Sequence, residues 1–309
     1  MSERIAYDEF GMFHENAQEA GLPYDGPPVV ERRAVEVRPG YSLSALVWGS
    51  EPAEIVLLHG GAQNAHTWDT VALALGRPLV AIDLPGHGHS DGRLDVGISP
   101  VDYAADVEVA VRALAPEARM VAGMSLGGLT SLALTARAPD LVRRLVLVDV
   151  TPGVNREKAS SITAFVNGPE SFPSFDEILA RTIEFNPTRS ESSLRRGILH
   201  NAIQQPDGSW VWRYRRWRVA QPSAEGQDDS VAAHPDFGSL WEAVDSVSVP
   251  LMLVRGADSP VVDDDDVAEL RRRQPGVRVE VVEHAGHSIQ GDQPVELARL
   301  LEDFLASSG

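Results

Sequence analysis

Three stretches of this sequence carry residues suited to attacking a carbonyl carbon. The first is Gly123-Met124-Ser125-Leu126-Gly127-Gly128, a G-x-S-x-G pattern. A strand-like run, Met120–Val121, precedes it, and a helix-like run over 126–138 follows. A serine on such a sharp strand-to-helix turn takes a strained backbone conformation with neighbouring chain in contact. Side chains two residues before and after it would collide, which is why both flanks are glycine. The helix start behind Ser125 adds positive potential and a free N–H. Ser125 is therefore the expected nucleophile. A mere glycine-rich turn is the competing reading, and the strand before and the helix after weigh against it.

The second stretch supplies a base. A serine hydroxyl is a poor nucleophile until its proton is taken. His287, in Glu283-His284-Ala285-Gly286-His287-Ser288, lies in a loop between the last strand-like run and the last helix. Gly286 frees the backbone to present it, and His284 is the rival. The third stretch, His59-Gly60-Gly61-Ala62, follows the apolar run Ile55–Leu58. The backbone N–H groups of Gly61 and Leu126 are expected to converge on a carbonyl oxygen as it becomes an oxyanion. His59 itself reads as a brace for its loop, and a plain tight turn is the alternative.

These residues need a scaffold that holds loop ends together. Short β-rich runs occur at Ala34–Val37, Leu43–Val47, Ile55–Leu58, Leu79–Ile82, Met120–Val121 and Leu145–Val148, with helix-length segments over 66–76, 101–115 and 126–138. Buried apolar strands alternating with helices predict a largely parallel sheet. The alternation stops after Val150 and resumes with Leu251–Val254, Val277–Val282 and a closing helix over Gln293–Phe304. The expected organisation is an N-terminal arm over 1–32, an α/β core over 33–150 and 237–309, and an inserted cap over 151–236. Asp263–Asp266 reads as the acidic first turn of a helix. The basic run 213–218 reads as a solvated helix face, with attraction of a carboxylate as the alternative.

The formal net charge of -18 repels phosphate backbones and anionic lipid. Nucleic acid and membrane are therefore not expected as partners; a small-molecule substrate is, and a homodimer is compatible. The absence of cysteine excludes disulfides and a thiol nucleophile. No apolar run approaches the roughly 18 residues of a membrane span, and the N-terminus has no signal-like stretch. A cytoplasmic location is expected.

His59-Gly60-Gly61, Asp83-Leu84-Pro85-Gly86-His87-Gly88-His89-Ser90, the Ser125 pentapeptide and Ala285-Gly286-His287 together resemble the α/β-hydrolase superfamily, in order and spacing, along residues 33–305. Within it the chain resembles the capped branch of esterases, lactonases and carbon–carbon bond hydrolases. That resemblance implies an α/β-hydrolase fold with a mostly parallel eight-stranded sheet flanked by helices. It implies a helical cap over 151–236, Ser125 and His287 as triad members, and an oxyanion hole from Gly61 and Leu126. It would put Trp210 and Trp212 at the border of the substrate pocket, although a purely structural role is as well founded. No cofactor and no metal are implied.

The triad acid is open. The family usually carries it in a G-x-x-D turn after the seventh strand, but here the turn reads Gly256-Ala257-Asp258-Ser259, with Asp258 one residue early. Some members place the acid at the end of the sixth strand, where this chain has Asp149. Asp149 is favoured and Asp258 is the alternative. His87-Gly88-His89-Ser90-Asp91 also spells a metallo-hydrolase pattern, but Gly92 stands where a further histidine belongs. The expected activity is hydrolysis of an ester or lactone of a small to medium hydrophobic substrate. Cleavage of a carbon–carbon bond in a vinylogous diketone, or non-catalytic ligand binding, are the alternatives.

Overall fold

The computed structural model describes residues 4–92, 99–155, 157–214 and 237–307. Eight strands form the main sheet: β1 (Val30–Arg38), β2 (Tyr41–Trp48), β3 (Ile55–Leu58), β4 (Leu79–Ile82), β5 (Met120–Met124), β6 (Leu145–Val148), and two strands that follow a long insertion, Leu251–Gly256 and Arg278–Val282. Three short strands lie in the insertion, β7 (Ser171–Phe172), β8 (Ala202–Gln204) and β9 (Trp210–Trp212), so the last two of the main sheet are β10 and β11. The order across the sheet is β1-β2-β4-β3-β5-β6-β10-β11. Only the β1/β2 and β2/β4 pairs are antiparallel.

The central strands are continuous apolar runs because both sheet faces are covered. Every residue of β3, β4, β5 and β6 is buried. Successive side chains point to opposite faces. Val56 and Leu58 accordingly join one core layer, with Val107 of α3 (Pro100–Leu114) and Leu132 of α4 (Leu126–Arg137). Ile55 and Leu57 join the other, with Val71 of α2 (Asp69–Leu75) and Phe304 of the C-terminal helix (Pro294–Ala306). The N-terminal helix α1 (Phe13–Glu19) adds Phe13 to this second layer, its ring 4.9 Å from that of Trp48.

Between β6 and β10 lie helices α5 (Ser160–Val166), α6 (Phe175–Phe185), α7 (Glu191–Asn201) and α8 (Trp241–Asp245). Beside these helices, β7, β9 and β8 form a small antiparallel sheet in that order. The cause is local. Asp207-Gly208 is a hairpin turn signal, Gly208 has φ 93°, and the Gln205 N–H bonds the Ser209 carbonyl at 2.7 Å. Trp210 and Trp212 are thus strand residues. Arg213 follows that strand and its N–H bonds the Asn201 carbonyl, so it is not on a helix face; Arg215, Arg216 and Arg218 lie outside the described residues. The acidic run begins α9 (Asp264–Arg273), with Asp263 as N-cap and Asp266 closing a capping box. The short helix α10 (Ile289–Asp292) precedes the C-terminal helix, α11. No helix among the described residues is long and apolar enough to cross a membrane.

A buried polar cluster joins the N-terminal segment, the sheet's helical layer and the insertion. His66 donates from Nδ1 to Asp69 at 2.9 Å and from Nε2 to Glu9 at 3.1 Å. Its ring stacks on that of His200, centroids 3.7 Å apart, and His200 Nδ1 meets the Tyr7 hydroxyl at 2.9 Å. Burial opposes charge on His66, but the Asp69 and Glu9 carboxylates outweigh it and raise its pKa to about 9. Burial, and then the charged His66 beside it, push His200 the other way. His66 therefore keeps its proton in the folded chain above the usual value of 6.5. Its stabilisation is complete below that value and is lost as pH rises through about 9. The melting-temperature advantage of wild type over His66→Gln is expected to shrink across this window; an advantage that stays constant with pH would contradict the charged assignment.

Candidate active site

The nucleophile candidate stands at the junction of β5 and α4. Ser125 has φ 51° and ψ -119°, a left-handed value that a non-glycine residue adopts only under constraint. Its N–H bonds the Val148 carbonyl at 3.0 Å, which ties the turn to the end of β6. A Cβ on Gly123 would stand 2.3 Å from the Gly127 carbonyl oxygen, and one on Gly127 would stand 2.3 Å from the Leu58 carbonyl oxygen. Both obstacles are backbone, so only glycine fits at either flank. Gly60 is crowded as well, by the Met124 sulfur at 2.4 Å and Ser125 Cβ at 3.3 Å. Gly61 has room, with nothing nearer than a Leu126 methyl at 3.9 Å. The Gly61 and Leu126 N–H groups make no hydrogen bond among the described residues. Leu126 is the first residue of α4, so its N–H carries the positive end of the helix.

The histidine and an acid meet across the sheet. His287 Nδ1 donates to Asp149 Oδ2 at 2.8 Å. Asp149 directly follows β6, is fully buried and has φ 50°. Its own N–H bonds the Val254 carbonyl of β10 at 2.7 Å. Its Oδ1 accepts the Gly256 N–H at 2.9 Å, and its Oδ2 also accepts the Ser259 hydroxyl. Gly256 has no side chain because the His287 loop crosses it: a Cβ there would lie 2.4 Å from the Gly286 carbonyl oxygen. Asp258, the other acid candidate, is exposed and makes no hydrogen bond to His287; its N–H bonds the Ala285 carbonyl. His284 is exposed as well, with φ 56°.

Ser125 and His287 line one cavity of about 290 Å³, together with Gly60, Gly61 and Asp258. No hydrogen bond joins the two side chains; such bonds commonly tighten only when substrate is in place. The insertion closes the cavity with Ile162, Phe165 and Phe185. Trp210 and Trp212 do not line it. Trp210 is buried, its ring 5.1 Å from that of Phe175, and Trp212 lines the neighbouring polar cavity by His66 and His200. The sequence reading missed Ile162 and Phe165. Their i,i+3 spacing marks one helix face, but no residue pattern says which face meets the serine.

His59 and His87 have other duties. His59 donates from Nδ1 to the Gly60 carbonyl at 2.7 Å and accepts the Leu84 N–H on Nε2 at 2.9 Å. Burial lowers its pKa to about 3, so it braces the loop as a neutral ring. His87 is buried, with Nδ1 on the Pro85 carbonyl, while Asp91 accepts the Ser42 N–H. The H-x-H-x-D residues therefore do not converge on one point. His66, Asp69 and His200 bring ligand-type atoms within 4.8 Å of one another. His66 already donates from Nδ1 to Asp69 and from Nε2 to Glu9, so it presents no free lone pair to a cation there.

Comparison with known proteins gives the family. A family model described as alpha/beta hydrolase fold matches residues 54–294. The chain is 45% identical to "Esterase Rv0045c" of Mycobacterium tuberculosis, over 98% of this chain and 97% of that protein. A crystal structure of that esterase superposes with a TM-score of 0.84 at 44% identity, covering 99% of this chain and 100% of the other. A 2-(acetamidomethylene)succinate hydrolase of Mesorhizobium japonicum is 28% identical over 83% of this chain and 89% of its own length.

The two glycine environments give a direct contrast. Gly127→Ala pushes a methyl into a backbone carbonyl and is expected to cost about 2–3 kcal/mol in urea denaturation. Gly61→Ala enters open space and should leave the midpoint unchanged. Equal stability of the two variants would contradict the crowding at the turn.

Proposed function

The chain belongs to the α/β-hydrolase fold family, and we propose that it is an esterase that cleaves a carboxylic ester through an acyl-enzyme on Ser125. The observation that carries this reading is the Asp149–His287 hydrogen bond beside the cavity that holds Ser125. Asp149 fixes the imidazole with Nδ1 as donor, which leaves Nε2 as the base. His287 takes the Ser125 proton as Oγ attacks the ester carbonyl. The N–H groups of Gly61 and Leu126 receive the negative charge that develops on the carbonyl oxygen. The imidazolium, stabilised by the Asp149 carboxylate, gives its proton to the departing alcohol. Water then repeats the sequence on the acyl-enzyme and releases the acid.

The insertion acts as a cap over this site. Ile162, Phe165 and Phe185 give the cavity an apolar wall, which favours a small to medium hydrophobic acyl group. The name of the Mycobacterium tuberculosis relative, an esterase, supports the same reaction class. A lactone presents the same acyl carbon, with the leaving alcohol still tethered to it.

Hydrolysis of a p-nitrophenyl ester series tests the assignment. Ser125→Ala is expected to abolish both turnover and labelling by a fluorophosphonate probe. Asp149→Asn should lower kcat by on the order of 10⁴, with Asp258→Asn near wild type. Loss of activity on changing Asp258, with Asp149→Asn active, would sink the acid assignment.

A further inference from the structure

We propose that Ser259 is a positioning residue that acts through Asp149; the inference rests on the assignment of Asp149 as the triad acid. The Ser259 hydroxyl donates to Asp149 Oδ2, the oxygen that also receives the His287 Nδ1 proton. Its orientation is fixed from the other side, because Oγ accepts the Val261 N–H at 3.2 Å. A hydroxyl has a single proton, and with Val261 on its acceptor side that proton goes to the carboxylate.

The turn that carries the hydroxyl is itself pinned. The Ala257 N–H bonds the Val282 carbonyl at 2.9 Å, the Asp258 N–H bonds the Ala285 carbonyl at 3.0 Å, and the Ser259 N–H bonds the Gly256 carbonyl at 3.2 Å. Ser259 therefore arrives at Asp149 from a frame shared with the His287 loop. The carboxylate depends on it. Asp149 is fully buried, and among the described residues no lysine or arginine pairs with it. Three donors hold its charge: the Gly256 N–H, the Ser259 hydroxyl and the His287 N–H. Only the first two are independent of catalysis, and only the hydroxyl shares an oxygen with the histidine. Ser259 is absent from the cavity lining, where its neighbours Asp258 and Pro260 are found, so its influence reaches the substrate through the acid and the base.

Two consequences separate this role from a passive one. Removing the hydroxyl frees Oδ2 to swing out of line with His287, which slows proton transfer without touching substrate contacts. It also concentrates the charge of Oδ2 on the imidazolium, so the base stays protonated to higher pH. Ser259→Ala is expected to lower kcat by about 10- to 100-fold with KM unchanged, and to move the acid limb of the kcat/KM profile to higher pH. Ser259→Thr keeps the hydroxyl and should recover most of the turnover.

The test is a pH series of p-nitrophenyl ester kinetics on wild type, Ser259→Ala, Ser259→Thr and Asp149→Asn, with melting temperatures recorded for each. A Ser259→Ala variant with wild-type kcat and pH profile, alongside an inactive Asp149→Asn, overturns the positioning role and leaves the triad assignment standing. Equal losses in Ser259→Ala and Ser259→Thr, accompanied by lowered melting temperatures, overturn it in favour of a purely structural role. An active Asp149→Asn overturns the acid assignment, and the Ser259 inference with it.

Discussion

A fully buried carboxylate that no lysine or arginine neutralises must find its hydrogen bonds within the fold. Asp149 meets that demand with donors from three separate places: the end of β10, the turn that follows it and the loop after β11. Each donor reaches the carboxylate only if β6, β10 and β11 keep their register. The parallel pairing of β6 with β10 and of β10 with β11 supplies this register. The Asp149 N–H on the Val254 carbonyl continues the ladder one residue past the strand. A single side chain thus makes the alignment of three strand ends a condition of its own hydrogen bonding.

The serine side of the site is governed by exclusion instead of attraction. Backbone carbonyls occupy the space where side chains at 123 and 127 would go. The left-handed backbone at Ser125 persists because the close-packed chain around it leaves no relaxed alternative. Attraction at Asp149 and exclusion at Ser125 meet at Val148, whose carbonyl accepts the Ser125 N–H one residue before the acid. Ser125 and Asp149 are therefore tied to one strand end, the first through the Val148 carbonyl and the second as the residue that follows it.

Much of this was legible in the sequence because it rests on local rules. Glycine flanks, a strand before and a helix after are properties of contiguous residues, as is the apolar run that makes a central strand. The largely parallel sheet and the elbow followed from them, while the count of eight strands came with the family resemblance. The acid was legible only as a choice between Asp149 and Asp258, because that choice depends on where a turn's side chains point across the sheet. Ser259 stood out as a departure from the family pattern, but its donation to Asp149 lies 110 positions away along the chain. The insertion was the least legible part. Its small sheet was signalled by Asp207-Gly208 and by the β-prone run Trp210-Val211-Trp212, while the family resemblance implied a pocket-border place for the tryptophans beside an equally founded structural role. Trp210 takes the structural role, buried against Phe175.

The pairing of Asp149 with a hydroxyl at 259 also bears on how such sites change over evolutionary time. Two seats, one after β6 and one after β10, meet at one carboxylate oxygen: Asp149 Oδ2 takes the His287 Nδ1 proton and the Ser259 hydroxyl proton. Carboxylates in both would place two negative charges in a dry space against a single proton, an arrangement that forces one of them neutral. Exchange of the acid between the seats is therefore unfavourable through a chain that carries both. The arrangement that avoids this holds an uncharged hydrogen-bonding side chain in one seat and the carboxylate in the other. This chain, with serine at 259 and aspartate at 149, has that arrangement.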